Sequence, residues 1–176
     1  MTPIAEELIR RLRYDPETRG EFDISTWEDR RECGTVRCIA GSAVHLARDP
    51  SPLGERQILW DHSLYLTPTA QSYTELAAKL LGIPFMRTAR DLFMPWEAGH
   101  RVGYHGDRAF DSYPEQARPD LSTIEKMRRW AAEVSSIPAG NAWQSCITPD
   151  RAAYALERVT KDEIPYCNWA EAFENA

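Results

Sequence analysis

Apolar side chains recur at intervals of three and four residues along most of the chain, which is the spacing of an amphipathic α-helix. The first such run follows Thr2, which can cap a helix, and Pro3, which suits the first helical position. Similar patterns predict further helices over residues 36–47, 72–82, 84–93, 120–134 and 148–159, and a short terminal helix capped by Asn168. We therefore predict a mostly all-α fold that forms a single compact domain over residues 1–176.

Several predicted helices carry residues that define where they begin or end. Thr35 is a good N-cap for the helix at 36–47, because its hydroxyl can accept a hydrogen bond from the first turn. Ser122 and Glu125 have the spacing of a capping box at the start of the helix at 120–134. Gly82 occupies the position where a left-handed cap would end the helix at 72–82.

Residues 94–120 differ from the rest of the chain. Glycine and proline interrupt every helical pattern in this segment, at positions 95, 99, 103, 106, 114 and 119. We expect an irregular Gly/Pro/aromatic insertion here, with room for one small hairpin. A loop of this length in a compact domain is uncommon and is often functional when it is ordered.

Composition narrows the class of protein. The formal net charge is -6, so long-range attraction to nucleic-acid phosphates or to an anionic membrane is not expected. No apolar run approaches the ~20 residues that a membrane span requires, and the first residues do not follow a signal-peptide pattern. Four cysteines are too few for a disulfide scaffold in a chain of 176 residues. We expect a cytoplasmic, acidic protein with reduced thiols.

Cys33 and Cys38 lie close together and have three interpretations. A structural zinc site needs two further ligands, and the chain has no second close cysteine pair. A helix N-terminus favours a reactive thiolate, but no histidine and asparagine follow at the distance that a papain-like protease needs. Burial of Cys38 as a small apolar side chain fits the surrounding sequence best. We assign no metal, no cofactor and no catalytic residue, and we give a structural role to Trp27, Cys33, Gly34, Thr35, Cys38 and Gly41.

Residues 33–41, Cys-Gly-Thr-Val-Arg-Cys-Ile-Ala-Gly, resemble a motif of a loosely defined group of small bacterial and phage proteins. These proteins also carry a tryptophan shortly upstream, like Trp27, and segments similar to residues 77–83, 89–93 and 147–159 of this chain. Ser42 departs from the group, in which a larger side chain is usual. The resemblance implies no particular activity. It implies a phage or mobile-element association, and the enlarged segment at 94–120 implies that any special function of this member lies there.

The segment 94–120 is also rich in residue types that dominate protein interfaces, namely tryptophan, tyrosine and arginine. The candidate binding residues are Trp96, His100, Arg101, Tyr104, His105, Asp107 and Tyr113. We therefore expect a non-enzymatic protein that binds another protein through this segment, as an inhibitor or regulator. A membrane partner is not expected, and neither is a nucleic acid.

Two alternatives remain open. His100, His105 and Asp107 could hold a metal or perform acid–base chemistry, or a cysteine could act as a nucleophile, and either arrangement would make the protein an enzyme. Residues 76–93 resemble a helix-turn-helix, which would indicate a DNA-binding regulator. The polar Thr88 and Asp91 count against that motif, because its second helix should be apolar at those positions.

Overall fold

Helices account for most of the regular structure among the described residues. The structure is a computed structural model that describes residues 1–24, 28–31, 34–48, 73–111, 113, 115, 118–136, 146–161 and 164–176. These residues contain nine α-helices, one 3-10 turn and one two-stranded hairpin. The all-α fold class is thus confirmed. Within this part of the chain, every helix is too short or too polar to cross a membrane.

Nine helices and two strands succeed one another along the described parts of the chain. The helices are α1 (Pro3–Tyr14), α2 (Pro16–Glu21), α3 (Ile39–Arg48), α4 (Tyr73–Leu81), α5 (Met86–Phe93), α6 (Pro95–His105), α7 (Leu121–Ser136), α8 (Pro149–Thr160) and α9 (Trp169–Asn175). The 3-10 turn, Gly106–Phe110, directly continues α6. The strands β1 (Glu28–Arg31) and β2 (Gly34–Arg37) pair antiparallel, so that Glu28 lies opposite Arg37 and Arg31 lies opposite Gly34.

Several helix ends form as the local sequence predicts. Thr2 caps α1 by accepting a hydrogen bond from the backbone N–H of Ala5 at 3.2 Å. Gly82 adopts φ 73° after α4, and the N–H of Ile83 donates to the carbonyl of Ala78 at 2.9 Å. These are the features of a left-handed glycine cap, in which otherwise unpaired carbonyls of the last turn are satisfied. Thr148 and Asn168 likewise cap the last two helices.

The start of α3 differs from the prediction. Residues 34–37 form strand β2, and α3 begins only at Ile39. Thr35 therefore does not cap the helix, because its backbone is paired with that of Arg30 on β1. The carbonyl of Cys38 instead accepts the first helical hydrogen bond, from the N–H of Ser42 at 2.8 Å. The hairpin expected within 94–120 does not occur among the described residues of that segment, and the one hairpin of the described structure lies here instead.

The N-cap of α7 is also different from the predicted capping box. The carboxylate of Asp120 accepts a hydrogen bond from the N–H of Thr123 at 2.7 Å. Asp120 is therefore the N-cap instead of Ser122, and α7 begins at Leu121. Both residue types are good N-caps, so the sequence alone did not distinguish between them.

The segment 94–120 is largely helical rather than irregular. Pro95 takes the first turn of α6, where the missing N–H has no helical partner in any case. Each glycine within a helix costs about 1 kcal/mol relative to alanine, but Gly99 and Gly103 face Trp130 and Ala131 of α7. We attribute the helix to this packing, because glycine without a side chain allows α6 to approach α7 closely.

The centre of the fold is α3. Its side chains from Ile39 to Ala47 are buried except that of His45, which is half-buried. The helix packs against α1, α4 and α5, and its alanines and Gly41 leave room for these neighbours. A helix that is apolar all round belongs in a core. The slender inner helix predicted from the small residues of this stretch is therefore present, although it starts later than expected.

The two glycines Gly82 and Gly20 provide a matched stability test. In Gly82→Ala, the new Cβ would lie 2.8 Å from Cγ2 of Thr2, on a backbone with φ 73°. We expect the free energy of unfolding to fall by about 1–2 kcal/mol, since a left-handed conformation is unfavourable for alanine. In Gly20→Ala, the Cβ would meet nothing within 4 Å, and we expect a gain of about 0.5 kcal/mol in helix α2. Urea denaturation gives the free energy of unfolding of each variant. Equal changes in the two variants would contradict the left-handed cap at Gly82.

Candidate functional site

An open groove of about 430 Å³ is lined by residues of α5, α6 and the 3-10 turn. We call it the α6 groove. Its lining residues are Arg87, His100, Arg101, Tyr104, His105, Arg108 and Ala109. Four of the candidate binding residues predicted from the sequence thus share one surface feature: His100, Arg101, Tyr104 and His105.

The geometry of α6 explains why these side chains share one face. His100 and Tyr104 are four residues apart, and so are Arg101 and His105, which places each pair one helical turn apart. Ala98 and Val102 lie on the opposite side and are buried, where α6 packs against α7. Packing on α7 therefore directs the polar face of α6 toward solvent.

Tyr104 presents an exposed aromatic ring in the groove. Its exposed fraction is 81%, and it stacks on the ring of His100 with centroids 5.9 Å apart and ring planes within 1° of parallel. Stacking restrains both rings before any ligand arrives. A restrained, amphipathic aromatic surface is suited to binding, because less side-chain entropy is lost on contact.

The charge of the groove is opposite to that of the whole protein. Arginines line it from three elements, and none of the lining residues is acidic. Arg101 pairs with the buried carboxylate of Asp91 behind the groove. Among the described residues, Arg87 and Arg108 have no carboxylate partner. Arg87 instead donates through Nη2 to the carbonyl of Ala109 at 3.0 Å, which ties α5 to the 3-10 turn.

A buried polar cluster supports the groove from below. Asp91 is 3% exposed, and its backbone carbonyl accepts a hydrogen bond from Nε1 of Trp169 at 2.8 Å. Thr88 lies 3.3 Å from the hydroxyl of Tyr113 and also bonds the carbonyl of Pro165. These contacts join α5 to Tyr113 and to the C-terminal part of the chain. The position of Asp91, and of Arg101 paired with it, therefore depends on residues distant in sequence.

Tyr113 belongs to the core rather than to the groove. It is 4% exposed, and its ring lies 6.1 Å from those of Phe85 and Phe110, measured between centroids. Burial raises the pKa of Tyr113 to about 12, although the hydrogen bond with Thr88 opposes this rise. The ring thus folds its segment onto the core, and it is not accessible to a partner.

The other predicted binding residues are placed differently. Asp107 is exposed on the 3-10 turn and lies 3.9 Å from Nη2 of Arg128 on α7, outside the lining of the α6 groove. Trp96 is in the first turn of α6, and its side chain is outside the described part of the structure.

Arg87 and Arg108 line the groove without having been predicted as binding residues. Arg108 directly follows the candidate Asp107 in the sequence, whereas Arg87 lies nine residues before the nearest candidate, Trp96, and only folding brings it to the groove.

The thiol of Cys38 is in an environment that disfavours a nucleophile. The residue is 2% exposed, and burial raises its pKa to about 11 despite hydrogen bonds from the N–H groups of Gly41 and Ala40. The thiol is therefore protonated at neutral pH, which leaves little thiolate for catalysis. Cys33 and Trp27 lie outside the described residues. Within the described ranges, no three His, Cys, Asp or Glu side chains are grouped as metal ligands would be.

The geometry of residues 76–93 counts against the helix-turn-helix alternative. Five of the eight residues of α5 are buried, including Thr88 and Asp91. A recognition helix must expose one face to the major groove of DNA, whereas only Met86 and Arg90 of α5 are exposed. The two polar residues that seemed unsuited to burial are buried after all, because partners elsewhere in the fold satisfy them.

Comparisons with protein-family models, with curated proteins and with solved structures found no match for this chain. Function is therefore inferred from the chemistry of the α6 groove and its surroundings.

Proposed function

We propose that this protein binds another protein through the α6 groove and acts as an inhibitor or regulator rather than as an enzyme. The observation that carries the proposal is the stacked pair of Tyr104 and His100, which stands exposed beside three arginines. Tyrosine and arginine are the residue types most enriched at binding hot spots, with tryptophan. The cytoplasmic location and the phage or mobile-element association inferred from the sequence remain parts of this proposal.

The charge of the groove supports an acidic segment as the bound part of the partner. Opposite potentials across an interface accelerate association and exclude unsuitable partners. A protein with net charge -6 repels acidic proteins over most of its surface, so a local cationic groove would select both the partner and its orientation. The aromatic pair would then supply apolar contact area, since a tyrosine ring buries surface at low entropic cost.

Tyr104→Ala is expected to weaken partner binding by about 10- to 30-fold, the effect of losing a hot-spot side chain of about 1.5–2 kcal/mol. Tyr14→Ala is the matched control, because Tyr14 is 73% exposed and lies at the end of α1, outside the groove. Affinity capture from a host lysate identifies the partner, and titration of the purified partner gives Kd for each variant.

The two variants should differ in binding and not in stability. Equal retention of the same partners by wild type, Tyr104→Ala and Tyr14→Ala would mean that the α6 groove is not the interface. Failure of the wild type to retain any protein at all would contradict the proposed function itself.

A further inference from the structure

We infer that the α6 groove contains a phosphate site, in which Arg87, Arg101 and Arg108, with His100 and His105, bind the phosphate group of a phosphorylated segment on the partner protein. This inference rests on the proposed function and specifies the chemistry that the partner carries. Three features of the described residues support the site: an excess of cations, an arginine held in place by the backbone and a groove larger than a single anion.

The first feature is an excess of positive charge in a small volume. Three guanidinium groups line a groove of about 430 Å³, and among the described side chains the only carboxylate paired with any of them is that of Asp91, which Arg101 holds. Burial and the nearby Arg87 lower the pKa of Arg101 to about 10, so this side chain is still cationic at neutral pH. Like charges held this close are unfavourable by themselves, and a bound anion would relieve the repulsion.

The second feature is an arginine side chain that is already held in place. Nη2 of Arg87 donates to the carbonyl of Ala109 at 3.0 Å, and the side chain lines the groove. The contact with Ala109 fixes the plane of the guanidinium, so the fork is oriented before a ligand arrives and loses less entropy on binding.

The number and type of donors favour phosphate over carboxylate. A phosphorylated side chain carries a charge between about -1.5 and -2 at neutral pH and has three strong acceptor oxygens. A single carboxylate has one charge and two oxygens, and would leave part of the cluster uncompensated. Arg108 is exposed on the 3-10 turn and unpaired within the described residues, so it is available to complete the set of arginines around a dianion.

The size of the groove favours a phosphorylated segment over a free ion. Pockets of about 300–1,000 Å³ usually accept groups much larger than one phosphate. The stacked rings of Tyr104 and His100 line the same groove, where they can pack against residues next to the phosphorylated one. The phosphate would thus be anchored by arginine, and the flanking residues would contact the aromatic pair.

The surroundings of the groove favour a protein ligand over a nucleic acid. Asp107 and Asp111 are exposed on and just after the 3-10 turn that also carries Arg108. A continuous phosphate backbone that entered the groove would pass close to these carboxylates, in a protein of net charge -6. A single phosphate on a peptide can bind the arginines without meeting them.

The experiment uses the full chain and two kinds of probe. Inorganic phosphate is titrated against the ¹⁵N-labelled protein, and amide shifts locate its site. Fluorescence anisotropy then compares peptide libraries with degenerate flanks around a fixed central phosphoserine, serine or glutamate. We expect phosphate to shift the amides of His105 and Arg108. We expect the phosphoserine library to bind at least about tenfold more tightly than the other two libraries, a difference of 1.4 kcal/mol.

Arg108→Gln removes one cation from an exposed position, so the fold should be unaffected. We expect it to reduce binding of the phosphoserine library by about tenfold and to leave the serine library unchanged. Arg10→Gln is the matched control, because Arg10 is exposed on α1, outside the groove, and pairs with Glu7 on the same helix. Equal losses in the two arginine variants would contradict the site.

Other outcomes would also overturn the inference. Equal binding of the phosphoserine and glutamate libraries would indicate simple charge attraction, and shifts with phosphate but no phosphoserine preference would indicate a small-anion site. A single-stranded oligonucleotide that binds more tightly than the phosphoserine library would indicate a nucleic-acid ligand. The two proposals can be told apart in each of these cases. If Tyr104→Ala still fails to retain the partner that the wild type captures, the protein-binding function stands and only the phosphate site is wrong.

Discussion

Trp169→Ala is expected to lower the free energy of unfolding by about 4 kcal/mol, within the range for removal of a buried tryptophan. Trp169 begins α9 and is completely buried, so its removal leaves a large cavity between the C-terminal helix and the core. The loss also removes the hydrogen bond from Nε1 to the carbonyl of Asp91. Because that carbonyl belongs to α5, the change weakens the attachment of the C-terminal part of the chain to the helix beneath the groove.

Trp169→Phe separates the two contributions. Phenylalanine keeps much of the apolar volume but has no N–H, so we expect a smaller loss of about 2 kcal/mol, from the unsatisfied carbonyl and the reduced packing. Equilibrium urea denaturation followed by far-ultraviolet circular dichroism gives the free energies of both variants. A loss below about 1 kcal/mol for Trp169→Ala would contradict the burial of this side chain, since surface substitutions have effects of that size.

Asp91→Ala is expected to lower the free energy of unfolding by about 3 kcal/mol, because it leaves the cation of Arg101 without its buried partner. The lower end of the range for buried pairs applies, since Arg101 keeps some contact with water in the groove. Removing both charges should change the free energy of unfolding much less than removing one. In Asp91→Ala/Arg101→Met neither ion is left uncompensated, so the double variant should recover most of the stability of the wild type.

The double-mutant cycle therefore tests the ion pair directly. Arg101→Met alone should also be destabilising, because it leaves the buried carboxylate of Asp91 unpaired. Arg90→Ala is the surface control on the same helix, where Arg90 is exposed, and it should change stability by less than about 0.5 kcal/mol. If the double variant is as unstable as the sum of the single variants, Asp91 and Arg101 are not coupled.

Much of the fold could be predicted from patterns within a few residues of each other. The cap at Thr2, the left-handed Gly82 and the N-caps at Thr148 and Asn168 all depend on side chains and N–H groups within one helical turn. The all-α class follows from the same short-range periodicity. These features were predictable because a helix is stabilised by contacts between residues three and four positions apart.

The errors in prediction arose where a neighbouring element decided the local structure. Gly99 and Gly103 break a helix in isolation, but packing against α7 outweighs their cost in α6. Thr35 is suited to cap a helix, but pairing with β1 places it in a strand. In both cases the local preference amounts to about 1 kcal/mol, which is smaller than the tertiary interaction that opposed it.

The candidate site was predicted in part, for the same reason. Four groove residues were found from the sequence because they lie on one short segment: His100, Arg101, Tyr104 and His105. The contribution of Arg87 and the burial of Tyr113 could not be predicted, because each depends on how α5 and the turn after α6 meet in space. The pairing of Asp91 with Arg101 likewise joins two helices.

Sequence patterns alone were thus sufficient for the helices, most of their ends and the segment that carries the candidate residues. Assembly of the fold decided which of those residues are exposed, which are buried and which cations line one groove. The division follows from the range of the forces involved, since helix formation depends on near neighbours in the chain, whereas burial and charge pairing depend on residues that only folding brings together.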